Sequence, residues 1–459
     1  MLLKILVFFA LIAVYLGWYV SNLLNKRDSS HLLFSFIVTC IPFQMSFPLY
    51  TPTYVSVDGI GSFTGKIFLM LPLIASVVLL VLQKNKNLFY LYKNERWVMW
   101  IVILIAISFI NPFNVARWGT VAFAIALLSY ILFFRLIYNK LNPLQILNGI
   151  FGSFLLLCVL NFCLAILYPV LNVSFVTTIF QEGGDMWATR NGTRAGAIGI
   201  FVTPANLGLF SVIASGFFFA SYLNGFKKKL SLIVLVITGI TIILTYSRTS
   251  YITLVVILIM LFYIFKNADK PLLSLKSFFL GVLPAAIVLY WLVFLSPFSA
   301  TFLKTDADDM YQARLDHWTM GMDIFHHSPV IGVGINSHLE FVNRSPEMSK
   351  VIHNEFLTSN PIHNTHLIIL CETGIIGFAL WLIFIIITLR QAKSNIAQNV
   401  NTILSLTQIA LITIYIIYGC TDWAPVSHST FPLFLLFTYF FNKYSLSSRP
   451  VNIVAMSAA

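Results

Sequence analysis

The chain has 459 residues, of which 59% are hydrophobic and only 10% are charged, and its mean hydropathy is +0.88. A soluble protein normally has about a quarter of its residues charged, so this composition excludes a soluble globular domain. The formal charge of +12 does not require a nucleic-acid partner. Lys and Arg cluster between apolar runs, as expected for the cytoplasmic loops of a membrane protein.

The apolar runs predict an all-α, polytopic membrane bundle of about 12–13 transmembrane helices. A crossing needs about 20 mostly apolar residues, and the runs lack the alternation of strands, which favours helices over a barrel. The run at 3–23 resembles a signal peptide but lacks a small-x-small cleavage site, so we interpret it as the first span. The predicted spans are 3–23, 32–48, 67–83, 97–111, 119–137, 147–170, 207–225, 230–247, 249–265, 273–297, 366–389, 402–420 and 430–442.

Charge asymmetry predicts the orientation of these spans. One assignment of alternate loops places 18 of the 28 basic residues on one face with three acids, and leaves 10 basic and 13 acidic residues on the other. The basic face is expected inside. We therefore predict a transmembrane bundle at 1–297, a large outer loop with amphipathic helices at 298–365, and C-terminal transmembrane helices with a short cytoplasmic tail at 366–459.

The stretch 298–377 concentrates the polar side chains and contains seven of the nine histidines. Apolar residues recur within it at spacings of three and four, which predicts an amphipathic helix on the outer surface, ending near Ser328; they are Tyr311, Leu315, Trp318, Met322 and Phe325. Arg314, His317 and Gly321 form a neighbouring stripe. This stripe lines a site or is a solvated face.

Arg248 lies in a very short turn between two apolar runs. A cation at membrane depth usually faces a cavity or an anion, and the planar guanidinium suits phosphate oxygens. The other interpretation is an arginine that extends to the membrane interface.

His363 and His366 flank Asn364 at the start of a strong apolar helix. Histidine accepts a hydroxyl proton near neutral pH, and a helix N-terminus suits anions. Alternatively, Asn364 is simply the N-cap and the histidines are interfacial. Zinc is disfavoured because no His-Glu-x-x-His is present, and the VIGVGIN segment lacks the lysine of a nucleotide-binding loop.

These residues form a spaced series that resembles the O-antigen ligase and polymerase superfamily, GT-C type membrane glycosyltransferases that use undecaprenyl-diphosphate-linked glycans. The series covers roughly residues 190–380. It comprises Arg194-Ala-Gly, Pro204-Ala-Asn206-Leu-Gly, Ser247-Arg248, Arg314 with Trp318 and Gly321, Ser328-Pro-Val-Ile-Gly332-Val-Gly334, and His363-Asn364 followed at fixed spacing by Gly374 and Gly377.

The resemblance implies roles for individual residues. Arg248 and Arg314 look like the arginines that hold the donor diphosphate, and His363 like the histidine that activates the acceptor hydroxyl. Arg194, Lys66, Asn364 and His366 are expected to bind substrate, Lys66 on position alone. The family implies an inverting enzyme of the bacterial inner membrane that works at the periplasmic face, without a metal or other cofactor.

Two acceptors fit this resemblance. A ligase transfers the glycan to lipid A core, and a polymerase transfers it to a second lipid-linked repeat unit; the spacing after His363 slightly favours a ligase. A protein O-oligosaccharyltransferase is a further alternative. A polysaccharide flippase fits less well, since it would place ionisable residues in the middle of its spans, where this chain has few.

Overall fold

The computed structural model describes residues 30–42, 67–83, 96–171, 196–201, 203–266, 307–345, 361–427 and 430–445, with isolated positions before residue 26. Helices dominate these residues, and no strand occurs among them. In chain order the helices are α1 (Ser30–Cys40), α2 (Ile67–Gln83), α3 (Arg96–Ile110), α4 (Arg117–Tyr138), α5 (Pro143–Leu171), α6 (Pro204–Leu223), α7 (Lys228–Leu244), α8 (Arg248–Lys266), α9 (Ala307–His327), α10 (His338–Arg344), α11 (Thr365–Ala397), α12 (Thr402–Gly419) and α13 (Phe431–Ser445).

The predicted class, a polytopic helical membrane bundle, is confirmed. Six helices in the described part of the chain, α4, α5, α6, α8, α11 and α12, are long and apolar enough to cross a membrane. The predicted spans at 3–23 and 273–297 lie outside the described ranges, whereas each of the others coincides with a helix. Helix α1 covers the span predicted at 32–48 only as far as Cys40, shortly before Pro42, because proline disfavours a helical residue before it. Residues 43–48 of that span lie outside the described ranges.

Helices α6 and α12 form the centre of the bundle, where 83% of each span is buried, compared with 33% for α11. Phe154 of α5 packs against Phe210 and Phe217 of α6 and Phe437 of α13, with ring centroids 5.6–5.8 Å apart. Such edge and tilted ring contacts stabilise helix association where lipid removes the hydrophobic drive between helices. The peripheral α11 turns exposed isoleucines such as Ile383 and Ile387 outward.

Helix α11 is broken at Gly374, a feature that the sequence analysis did not predict. Gly374 has φ 63° and ψ −169°, a conformation largely restricted to glycine. The segment 329–334 lies in the break: the amide of Val333 donates to the carbonyl of Cys371 (2.8 Å), and the amide of Ile375 donates to that of Pro329 (2.9 Å). A Cβ atom on Gly374 would lie 2.3 Å from the carbonyl carbon of Val330.

The glycine-rich segment 332–336 is held on its other side by the turn between α3 and α4. The Asn111 amide donates to the carbonyl of Gly332 (2.7 Å), and the Thr120 hydroxyl donates to that of Ile335 (2.7 Å). The Ile335 amide donates to the Ser108 hydroxyl (3.1 Å). The amides of Val333, Gly334 and Ile335, which a phosphate-binding loop would offer to a ligand, therefore donate to the protein itself.

Helix α9 ends at His327, close to the predicted position, and packs against the first turns of α11. The Cys371 thiol donates to the carbonyl of Gly321 (2.9 Å), and a Cβ atom on Gly321 would meet Leu367 at 2.4 Å. The buried face of α9 carries His317 and Gly321, two members of the predicted polar stripe. Two members of the predicted apolar stripe, Trp318 and Met322, are instead exposed, 45% and 41%.

Candidate active site

Arg248 is the first residue of α8 and is half-buried. The preceding turn is closed by Thr245, whose hydroxyl accepts from the amide of Ser247 (3.2 Å). Two residues after Arg248, the Ser250 hydroxyl hydrogen-bonds the buried Tyr418 hydroxyl at the end of α12. These contacts fix the helix start, and with it the base of the Arg248 side chain, against α12.

The start of α11 is fixed against the same end of α12. The Asn364 side chain accepts from the amide of Leu367 (3.0 Å) and so caps the helix. The Thr365 hydroxyl donates to the carbonyl of Asp422 (2.9 Å). His366 places its Nε2 3.1 Å from the carbonyl oxygen of Ile416. His363, immediately before the cap, is thereby held at the junction of α11 and α12.

Helix α9 completes the site from the outer side. Its buried His317 faces His363, with ring centroids 5.1 Å apart and ring planes tilted by 50°. Arg314 lies one turn earlier on α9 and is half-buried. Its positive charge acts on both Arg248 and His363. Three distant chain segments thus bring two arginines and a histidine into one electrostatic environment.

Burial and charge favour a neutral His363. Burial lowers the pKa of His363, the positive charge of Arg314 lowers it further, and the carboxylate of Asp422 opposes both. The Nδ1 atom of His363 is buried and has no hydrogen-bond partner among the described residues. Burial lowers the pKa of His317 to about 3, with His363 and His338 contributing, so His317 is neutral at physiological pH.

Asp422 is a member of the site that the sequence analysis missed. Its backbone amide donates to the carbonyl of Tyr418 (2.9 Å), and its carboxylate accepts from the amide of Ala424 (2.9 Å), which shapes the turn after α12. A signal was present in the sequence, since Asp422 is the only acid after Glu372 and lies between two apolar spans.

The buried acid Glu372 was also missed. Glu372 accepts from Nδ1 of His338 (2.7 Å) and from the amide of Ser337 (3.0 Å), which ties the start of α10 to α11 beside the helix break. Both ionisable side chains are almost completely buried. Glu372 follows a run of apolar residues, so only tertiary contacts identify its partner.

The structure brings together three of the residues expected at the site: Arg248, Arg314 and His363. Asn364 and His366 lie beside them, but the contacts of their side chains are a helix cap and a backbone carbonyl of α12. Arg194 and Lys66 lie outside the described residues. Among the residues that are described, no three His, Cys, Asp or Glu side chains are arranged to hold a metal ion.

These features define a class of protein: a multi-pass helical membrane protein in which two arginines and the half-buried His363 gather where α8 and α11 begin and α12 ends. Residues 233–382, about a third of the chain, match the family model described as O-antigen ligase (Wzy_C). This match supports the resemblance of the chain to the O-antigen ligase and polymerase superfamily. The matched segment contains Arg248, Arg314 and His363, and the family indicates a glycosyltransferase-like enzyme of bacterial membranes. The chain has no significant match among curated proteins.

Proposed function

We propose that this protein transfers a glycan from undecaprenyl diphosphate to a hydroxyl group of lipid A core, as an O-antigen ligase. The observation that carries the proposal is the convergence of Arg248, Arg314 and His363 from three distant chain segments. The family match supports ligase-type or polymerase-type transfer in general. The lipid A core acceptor is favoured by the spacing of Gly374 and Gly377 after His363.

The two arginines are suited to a diphosphate. Two positive charges close together repel each other, and an anion bound between them offsets this repulsion. Guanidinium groups bind phosphate oxygens in a bidentate manner. Among the described residues, neither the His338–Glu372 nor the Arg344–Glu340 ion pair involves Arg314. In the proposed reaction Arg248 and Arg314 stabilise the charge that develops on the diphosphate as it leaves.

His363 is suited to the role of general base. A neutral imidazole accepts a proton, and the lowered pKa keeps His363 neutral at physiological pH. The acceptor oxygen forms a bond to C1 of the donor sugar, and the acceptor proton moves to His363. The bond from C1 to the diphosphate oxygen breaks, and its electron pair stays with the diphosphate. A single displacement inverts the configuration at C1 and needs no metal.

The site is proposed to face the periplasm of a bacterial inner membrane. The excess of Lys and Arg on the opposite face supports this orientation. Nucleotide sugars are absent from the periplasm, whereas a lipid-linked donor reaches that face within the membrane. Partners are therefore an undecaprenyl-diphosphate-linked glycan, the acceptor lipid and the surrounding membrane lipids.

A complementation experiment tests the proposal. In a strain that lacks the gene, we expect the wild-type protein to restore glycan attachment to lipid A core on gels, and Arg248→Ala, Arg314→Ala and His363→Ala each to abolish it. Arg344→Ala is the matched arginine control, because Arg344 is the last residue of α10 and pairs with Glu340 of the same helix. Full attachment by His363→Ala at normal membrane levels would exclude His363 as the base.

The same strain separates ligase from polymerase. Loss of a ligase leaves long glycan chains on the lipid carrier, whereas loss of a polymerase leaves single repeat units attached to core. The second pattern would refute the ligase assignment but retain the site. An unchanged glycan profile would refute both.

A further inference from the structure

We propose that His317 is the positioning residue of the site: it accepts a hydrogen bond from Nδ1–H of His363 and thereby leaves Nε2 of His363 free to take the acceptor proton. This inference rests on the proposed role of His363 as base. It starts from the direct contact between the two buried rings on α9 and at the start of α11.

A histidine base must hold its own proton on the nitrogen that faces away from the substrate. Which nitrogen carries the proton is set by the hydrogen bond that the other one makes. Nδ1 of His363 is buried without a hydrogen-bond partner among the described residues, so it faces protein rather than water. A proton left there without an acceptor is costly, because a buried donor without a hydrogen-bond partner loses its interaction with water and gains nothing in return.

His317 is placed to supply that acceptor. The ring centroids are 5.1 Å apart, so the two rings are neighbours, and a hydrogen bond of about 2.7–3.2 Å forms between them when each ring turns one nitrogen toward the other. His317 is fully buried and stays neutral, so one of its nitrogens is always an acceptor. Gly321, one turn later on α9, packs closely on Leu367 of α11, which fixes the separation of the two helices.

Asp422 is the other candidate partner, but its contacts assign it a different role. Its carboxylate accepts from the amide of Ala424, and no hydrogen bond joins it to His363 among the described residues. Its negative charge stabilises the protonated form of His363 after the acceptor proton has been taken. His317 therefore sets the tautomer, while Asp422 stabilises the charge.

Kinetics of the purified protein in liposomes test the role of His317. His317→Gln keeps a neutral acceptor, whereas His317→Phe keeps a buried ring of similar shape without one. We expect the Phe variant to lower kcat at least about tenfold with little change in KM, and the Gln variant to restore most of the rate. His326→Ala, an exposed histidine of the same helix, is the control. Equal impairment of both variants, or none in the Phe variant, would overturn the proposal.

A chemical readout keeps this test separate from transfer activity. Diethyl pyrocarbonate modifies an unprotonated, accessible ring nitrogen, and mass spectrometry measures modification of the His363 peptide. Loss of the acceptor moves the ring proton from buried Nδ1 to Nε2, so we expect slower modification of His363 in the Phe variant than in wild type or the Gln variant. Modification at one rate in all three proteins overturns the role of His317. If the three proteins show this difference in modification rate but the wild-type protein transfers no glycan, only the proposed function is refuted.

Discussion

Replacing Gly374 by alanine should destabilise the protein strongly, because the helix break at Gly374 positions both α11 and the segment 329–334. The backbone at φ 63°, ψ −169° costs a non-glycine residue about 1–3 kcal/mol. The added Cβ atom would also lie 2.3 Å from the carbonyl carbon and oxygen of Val330. Forcing an extra methyl group into such a packed region destabilises a protein by about a further 1–3 kcal/mol. We therefore expect Gly374→Ala to lose about 2–6 kcal/mol.

The assay is the apparent melting temperature of detergent-purified protein, measured by size-exclusion chromatography after heating. Such values compare variants even when unfolding is irreversible. Gly239→Ala is the matched control: Gly239 lies in α7, and a Cβ atom there would meet nothing within 4 Å. Alanine favours an interior helical position by about 1 kcal/mol, so the control should melt at or above wild type. A Gly374→Ala protein as stable as Gly239→Ala would refute the structural role of this glycine.

Two further predictions concern charge at and beside the site. Because burial and Arg314 lower the pKa of His363 below its usual 6.5, the midpoint of the decline in rate at low pH should lie below pH 6.5. Asp422→Asn, which removes the opposing charge, should move that midpoint to still lower pH. A decline centred above pH 6.5 in a pH–rate profile would contradict this sign. Glu372→Gln should lower stability by about 1–3 kcal/mol in the same melting assay, since it weakens a buried charged hydrogen bond to His338. Glu340→Gln, whose partner Arg344 is 44% exposed, should cost less, and an equal loss in both would argue against the importance of the buried pair.

Local sequence patterns were sufficient to predict the bundle and the local setting of several residues of the candidate site. The short turn before Arg248 follows from two long apolar runs that leave almost no loop, and the end of α9 follows from its period and the proline at 329. His363 follows from its place before a cap and an apolar helix. These features depend on residues that are close in the chain.

The features that were missed depend on contacts between distant segments. Gly374 follows Glu372 and Thr373 between two apolar runs that together predict one continuous helix, so the break is visible only once residues 329–334 lie against it. Packing against α11 likewise determines that Glu372 pairs with His338 and that the His317 face of α9 is buried. Trp318 and Met322 follow the helical period but stay exposed because the face with His317 and Gly321 packs inward.

The central claim is tested most directly by glycan transfer in liposomes that contain only the purified protein, an undecaprenyl-diphosphate-linked glycan and lipid A core, with chelator present. We expect transfer by the wild-type protein and by Arg344→Ala. His363→Ala should reduce the rate about 100-fold or more, within the usual contribution of a general base. Undiminished transfer by His363→Ala, or transfer that requires an added metal ion, would contradict the account.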